Sequence, residues 1–565
     1  MKPKNLLPIL AIFIVFILSA FYEILRFDPA GMEFRFPDRI YHAASFYEQA
    51  SHLWKVENSL AAPKIIGLVF SPRFTEPSKT GLLPAVASGF LALFGTNMRS
   101  LFIMNLAFSL ILGLSLLRLG AIAGSPWAGF VTYAASATLI YRGFGPGYYN
   151  YDFPCMAVVA VYLAFFAGSK PFRSILRAVL FGLFAGFATA QRTSFVFFVA
   201  GAILIEAVRE YRADKANSLQ TVFAFAAAAF LVLMPFWFFR PIRLISDILH
   251  DSIFPRPGTN LEMDVARFAG KLWMYPNVLF YVIGPLLIAV LPMTLRVVRT
   301  KYGIRPHVFC WAFIPPVFLV LMPNKHEEFI LPCLPGLLFA GIAPILIASS
   351  RRIKILFAAI VIALGVVSCI FLTYRYPDAK VKSNALEEAV RQIHWISKKS
   401  ELFGPGQANF NSGRKSAVPN VAVVEKEGGF LWGSEATALC NRILLDPKLD
   451  LADDNELPPD ILAVVAFPLL SSAQRKDLLK NPYGHYASNW PSKALLDMWQ
   501  KSIKEKGEID IDMEDPTPWF LPAPGLPEDR MGWLTNIAES MQHFLPCKTR
   551  IAFPNGWIGI CVKHP

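Results

Sequence analysis

The chain has 565 residues, 54% of them hydrophobic and 14% aromatic, with a mean hydropathy of +0.43. Soluble domains carry less apolar and aromatic side chain, so the composition points to a polytopic α-helical membrane protein. The net charge of +13 invites a nucleic-acid reading. The basic residues, however, fall in short clusters between apolar segments, as cytoplasmic loops do, and nucleic acid is set aside as a partner.

In chain order, the first apolar helix is expected over Leu6–Leu25. Its apolar run is longer than the core of a signal peptide and no small-x-small cleavage site follows, so an uncleaved anchor is expected. A long polar loop, Arg26–Arg99, comes next. Inside it, Leu82–Phe94 is apolar but short and is expected to lie at, or re-enter, the outer surface. Further spans are expected near 100–117, 125–141, 153–169, 174–190, 193–208, 219–239, 277–296, 307–323, 329–349 and 354–374. With Lys2 and Lys4 inside, alternation places Arg118, Lys170–Arg173, Arg209–Lys215, Arg296–Arg305 and Arg351–Lys354 on that same side. Counting Leu82–Phe94 as a span would reverse this, so the charge bias gives about eleven spans and an external C-terminus.

Beyond Tyr376 the apolar spans stop. Short β-like runs at Val421–Val424 and Ile461–Val465 alternate with helical stretches such as Ala385–Ser397. A soluble extracytoplasmic α/β domain is therefore expected over 376–565, after a membrane domain over 1–375. The seven cysteines form no CxxC or zinc-type spacing. Cys547 and Cys561 are left as either a disulfide or two free thiols. The chain has no Asn-x-Ser/Thr acceptor. That favours a bacterial inner membrane, with the endoplasmic reticulum as the alternative.

The chemistry-bearing residues gather on the predicted outer loops. Asp38 lies in Phe34-Arg35-Phe36-Pro37-Asp38-Arg39-Ile40-Tyr41-His42. It reads either as a general base for an acceptor nucleophile or as the cap of a juxtamembrane helix. Asp152, in Tyr148-Tyr149-Asn150-Tyr151-Asp152-Phe153-Pro154, opens a span. It too is either a helix cap or part of a loop facing carbohydrate or phosphate. Arg192 is the only charge in a tight turn between two apolar segments. There it either binds a lipid phosphate or snorkels to the headgroups. Lys79, in Glu76-Pro77-Ser78-Lys79-Thr80-Gly81, is a similar cation, and the run lacks the spacing of a phosphate-binding P-loop. Lys325, His326 and Glu327 crowd the turn Pro323–Pro332. They are either phosphate-binding and orienting groups or a charged turn between helices. No cofactor is certain, and a divalent metal is the one candidate.

Taken together, these segments resemble the polyprenyl-phosphate-sugar-dependent membrane glycosyltransferases of the GT-C fold. The protein O-mannosyltransferases and the bacterial transferases that decorate lipid A with aminoarabinose are examples. The likeness lies in the acidic Asp38 of the first long loop and in Glu76-Pro77-Ser78-Lys79-Thr80-Gly81-Leu82-Leu83-Pro84 before an apolar segment. It continues in Asp152 opening a later span and in Glu328-Phe329-Ile330-Leu331-Pro332 starting a late one. The last stretch is also similar to the His-Lys-Glu-x-Arg-Phe element of dolichol-phosphate-mannose enzymes. Asn324, His326 and Glu328 stand where that element has His, Glu and Arg. The resemblance implies an inverting transfer of a sugar from a polyprenyl-phosphate donor to a protein or glycolipid acceptor at the outer face. Asp38 would then be the base, Asp152 a second catalytic carboxylate, and Arg192, Lys79 or Lys325 the holder of the departing phosphate. Tyr149, Glu76, His326 and Glu327 would line the substrate. The rival reading, a lipid or solute transporter, calls for ionisable residues buried within spans, and the predicted spans are nearly free of them.

Overall fold

The computed structural model describes residues 6–26, 37–71, 80–140, 149–238, 305–321, 327–371, 379–402, 420–425, 434–446, 449–451, 461–466, 549–553 and 556–562. Two compact units divide the chain. One comprises Met1–Pro29 and Gln49–Arg375, the other Ala30–Glu48 and Tyr376–Pro565.

The first unit is helical. Its elements are α1 (Leu6–Arg26), the C-terminal part of α2 (Pro37–Glu57), α3 (Ala61–Val69), α4 (Leu82–Phe94), α5 (Met98–Ala123), α6 (Pro126–Ile140), α7 (Asp152–Phe166), α8 (Ile175–Gln191), α9 (Phe195–Ala213), α10 (Lys215–Phe238), α11 (Arg305–Leu321), α12 (Leu334–Ala348) and α13 (Arg351–Phe371). Each expected span from the described residues falls on a helix, and Leu82–Phe94 is helical and short, at 13 residues. The expected span 277–296 lies outside the described residues. Four helical segments among those described, Leu7–Ile24, Met98–Ala123, Lys215–Pro235 and Phe329–Ala348, are long and apolar enough to cross a membrane. Large apolar side chains such as Ile17, Leu18 and Phe21 of α1, and Phe223 and Leu231 of α10, lie on the surface. A surface so rich in leucine and phenylalanine is stable facing hydrocarbon, not water. The chain is an integral membrane protein.

Local signals set the helix ends. Asn97 caps α5 by accepting from the Ser100 amide at 3.3 Å. The helix stops at Gly124, whose φ of 102° is the left-handed conformation that glycine adopts without strain. The chain then turns back into α6 through Ser125, whose amide bonds to Gly120 O at 2.8 Å. Small residues allow close helix contact. A Cβ on Gly186 would stand 2.8 Å from Ala229 O of α10, and one on Gly182 would strike Phe225 O. Tyr162 of α7 is the centre of an aromatic core, packed edge-on to Phe181, Phe184 and Phe195 and stacked on Phe166.

The second unit holds α14 (Ala379–Leu402), β1 (Asn420–Glu425), α15 (Ser434–Leu444), β2 (Asp450–Leu451), β3 (Ile461–Ala466), β4 (Thr549–Phe553) and β5 (Gly556–Val562). The strands make one mixed sheet in the order β2-β1-β3-β5-β4. β1 runs parallel to β2 and β3, with Val423 opposite Ala463. β5 runs antiparallel to both β3 and β4. On α14, Leu386, Ala389 and Ile393 are buried at helical spacing, and on α15 Ala438, Leu439 and Ile443 are buried likewise. His394 and Asp446 pair at 2.7 Å. Cys561 is on β5, and Cys547 lies outside the described residues.

Candidate active site

Asp152 is the first residue of α7, yet it does not cap the helix. Asn150 does so: its Oδ1 accepts from the Phe153 amide at 2.8 Å. The Asp152 carboxylate faces Arg192 instead. Nε of the guanidinium donates to Oδ1 at 3.1 Å, and its second amine nitrogen donates to Oδ2 at 3.3 Å. Both side chains are buried, at 5% exposure for Arg192 and 1% for Asp152. Two parallel charge-assisted bonds are the arrangement that the planar guanidinium favours with a carboxylate.

The chain delivers Arg192 by breaking one helix and starting another. α8 ends at Gln191, and Arg192 is extended, with φ −153° and ψ 114°. α9 resumes with the Phe195 amide bonded to Arg192 O at 2.9 Å. This elbow is the tight turn expected around Gln191–Thr193. It is clipped to the start of α7 a second time, because Gln191 Nε2 donates to Tyr151 O at 3.2 Å. Position and orientation of the guanidinium are therefore fixed by backbone on both sides.

The ring of Phe329 packs against Arg192, with Cζ 5.0 Å from its centroid, a cation–π contact. Phe329 belongs to the 3₁₀ turn Glu327–Cys333, which α11 holds in place. Trp311 Nε1 donates to Pro332 O at 2.7 Å, and a Cβ on Gly336 would come within 2.7 Å of the Trp311 ring. Two stretches that were candidates separately, the start of α7 and the turn before α12, thus meet at one guanidinium.

Asn150 Nδ2 and Gln191 Oε1 are buried and have no hydrogen-bond partner among the described residues. Polar atoms in that condition cost free energy unless a polar group meets them, so these two mark a place that accepts one. Tyr149 is fully buried just before them. A carboxylate, a guanidinium and two open amide atoms in a low-dielectric setting can hold an oxyanion and accept a proton.

The other candidates are placed less fully. Asp38 is the second residue of α2, which begins at Pro37. Glu327 opens the 3₁₀ turn. Glu76, Lys79, Lys325 and His326 lie outside the described residues. Among the described residues no group of three or more His, Cys, Asp or Glu is placed to hold a metal ion. Sequence reasoning did not single out Phe329 as a platform, Asn150 as the cap or Gln191 as the clip. It also passed over a second buried pair, Glu206 of α9 with His307 of α11, Nε2 to Oε1 2.9 Å.

Fold and site define an integral membrane protein with a paired carboxylate and guanidinium buried where α7 begins and α8 ends. No protein-family model matches the chain, and no curated protein matches it. Among solved structures it is similar to ArnT from Cupriavidus metallidurans bound to undecaprenyl phosphate, at 13% identity and a TM-score of 0.47, covering 85% of this chain and 94% of that one. It is also similar to the apo state of the same ArnT, at 14% identity and a TM-score of 0.40, covering 71% of this chain and 70% of that one.

Proposed function

We propose that the protein is an inverting glycosyltransferase that moves a sugar from a polyprenyl-phosphate donor to a protein or glycolipid acceptor at the outer face of a bacterial inner membrane. The observation that carries this reading is the Asp152–Arg192 pair beside Phe329. It joins two of the segments by which the sequence resembles such enzymes, Asp152-Phe153-Pro154 and Glu328–Pro335. A site for a lipid-linked phosphate needs a cation at membrane depth, and Arg192 is one.

In this reading Asp38 takes the acceptor proton as the acceptor atom bonds to the anomeric carbon from the face opposite the phosphate. The bond from that carbon to the phosphate oxygen breaks, and its electron pair leaves with the phosphate. Arg192, held by Asp152, neutralises the charge that develops there, with Lys79 and Lys325 as further cations. Tyr149, Glu76, His326 and Glu327 complete the substrate-facing set. The α/β unit after Tyr376 would select the acceptor.

The test is donor turnover by purified protein in detergent, with a panel of labelled undecaprenyl-phosphate sugars, with and without membrane extract as acceptor. Arms with a chelator and with Asp38→Asn are run alongside. One donor should be consumed, and the Asp38→Asn protein should be inactive although folded. Turnover that survives this substitution moves the base to Asp152. The chelator arm decides whether a cation takes part.

A transporter or flippase is the second reading, favoured by the buried Glu206–His307 pair between α9 and α11. Consumption of no donor under any condition, with lipid or solute flux in vesicles, would select it.

A further inference from the structure

The seam between α5 and α6 carries a second polar constellation. Much of this seam is made by small residues. A Cβ on Gly129 would strike the Leu116 backbone, and one on Gly113 would stand 3.1 Å from the Tyr133 ring. Beyond Gly113, Ser109 and Tyr133 meet hydroxyl to hydroxyl at 3.2 Å, both buried. Asn105 lies one helical turn further along α5, and Ser136 one turn further along α6. The register therefore brings these two opposite each other, and both are 0% exposed.

Ser136 departs from its neighbours. Ser115, Thr132 and Thr138 direct their hydroxyls to carbonyls of their own helices, at 2.7, 2.8 and 3.0 Å. That is the usual way to satisfy a hydroxyl in an apolar helix. Ser136 Oγ makes no such bond and is buried with no hydrogen-bond partner among the described residues. A hydroxyl held so is costly unless a polar group from elsewhere completes it.

The position of this seam relative to Asp152 follows from α5 and α7. Arg118 Nε donates to Ala164 O at 2.9 Å. A Cβ on Gly168 would be 3.6 Å from Ile122 Cγ2. Gly168 lies just past the end of α7, and the chain advances along α5 from Arg118 to Ile122 as it leaves α7, so the two helices run in the same direction. Equal steps towards the N-terminus of each helix lead from Ala164 to Asp152 and from Arg118 to Leu106. The turn bearing Asn105 is level with the Asp152–Arg192 pair.

We infer that Asn105, Ser109, Tyr133 and Ser136 form the subsite that recognises the hydroxyl groups of the donor's sugar, an inference that rests on the glycosyltransferase reading. Sugar hydroxyls both donate and accept, and serine, tyrosine and asparagine side chains offer both functions without charge. The division of labour is coherent: the guanidinium takes the phosphate and the uncharged wall takes the ring.

The experiment measures binding by the full-length protein in nanodiscs. The ligands are undecaprenyl phosphate and the same lipid phosphate carrying mannose, glucose or aminoarabinose. Wild type should prefer one sugar-bearing lipid. Ser136→Ala should weaken that lipid by about three- to tenfold and leave the bare lipid phosphate unchanged. Tyr133→Phe should do the same, and serves if the first variant fails to fold. Equal losses for both lipids, or no loss for either, would overturn the subsite and make the seam structural. If wild type binds neither kind of lipid, the glycosyltransferase reading itself fails.

Discussion

Where α7 begins, Asp152 and Arg192 meet through two bonds beside an aromatic ring, and both are almost fully buried. Farther along α9, about 20 Å from Arg192 by helix rise, Glu206 meets His307 at 2.9 Å and Arg209 at 3.4 Å. The two sites share ionisable groups but differ in their surroundings. Glu206 and His307 are buried as deeply, at 6% and 4% exposure, but the second partner of Glu206, Arg209, is 68% exposed and carries its charge in solvent. Asp152 and Arg192 have each other and sit beside the open amide atoms of Asn150 and Gln191. One arrangement ties two helices together. The other keeps a doubly bonded charged pair beside an aromatic ring and two open amide atoms of neighbouring residues, which is what a binding site requires. The open atoms at the inner pair belong to His307 itself.

The largest effect should come from breaking the outer pair on one side only. Arg192→Ala leaves the Asp152 carboxylate buried without its cation and should cost about 3–5 kcal/mol in thermal or denaturant unfolding in detergent. Removing both charges with Asp152→Asn and Arg192→Gln should recover part of that loss while donor turnover stays absent. Recovery of turnover in the double variant would reduce the pair to a structural one. Next in size is Glu206→Gln, expected to cost about 1–3 kcal/mol with turnover per folded molecule unchanged. A loss of turnover there would erase the contrast between the two sites. Trp311→Phe removes the bond to Pro332 O and should cost about 1 kcal/mol while also loosening the turn that carries Phe329. Smallest is Phe329→Leu, which keeps an apolar side chain and removes the ring face. It should cost roughly 0.5–1 kcal/mol and weaken binding of undecaprenyl phosphate modestly.

The helices were legible because a long apolar run forms little else than a helix, and four of those described are long and apolar enough to cross a membrane. Even the short Leu82–Phe94 was readable from its length. The site was legible only in pieces. Asp152 and Arg192 each stood out, but they are 40 residues apart in sequence, and nothing local says that they pair. Asn150 and Asp152 are both good capping residues, so sequence could not tell which would cap α7 and which would be left for chemistry. Phe329 reads as one more aromatic in an apolar run. Ser136 looks like Ser115 until the hydroxyl direction is known. Glu206 falls in the last third of an expected span, where it resembles the first charge of a basic loop. Glu76, Lys79, Lys325 and His326 were read from sequence alone and lie outside the described residues.

The measurement that bears most directly on the central claim is release of undecaprenyl phosphate from its sugar-bearing form. It should compare purified wild type, Arg192→Lys and Glu206→Gln, each shown to be folded. Lysine keeps the charge but loses the two-pronged bond to Asp152. Turnover should be present in wild type, close to wild type in Glu206→Gln, and reduced about tenfold or more in Arg192→Lys. Equal turnover in all three proteins would contradict the assignment of the Asp152–Arg192 pair to the reaction.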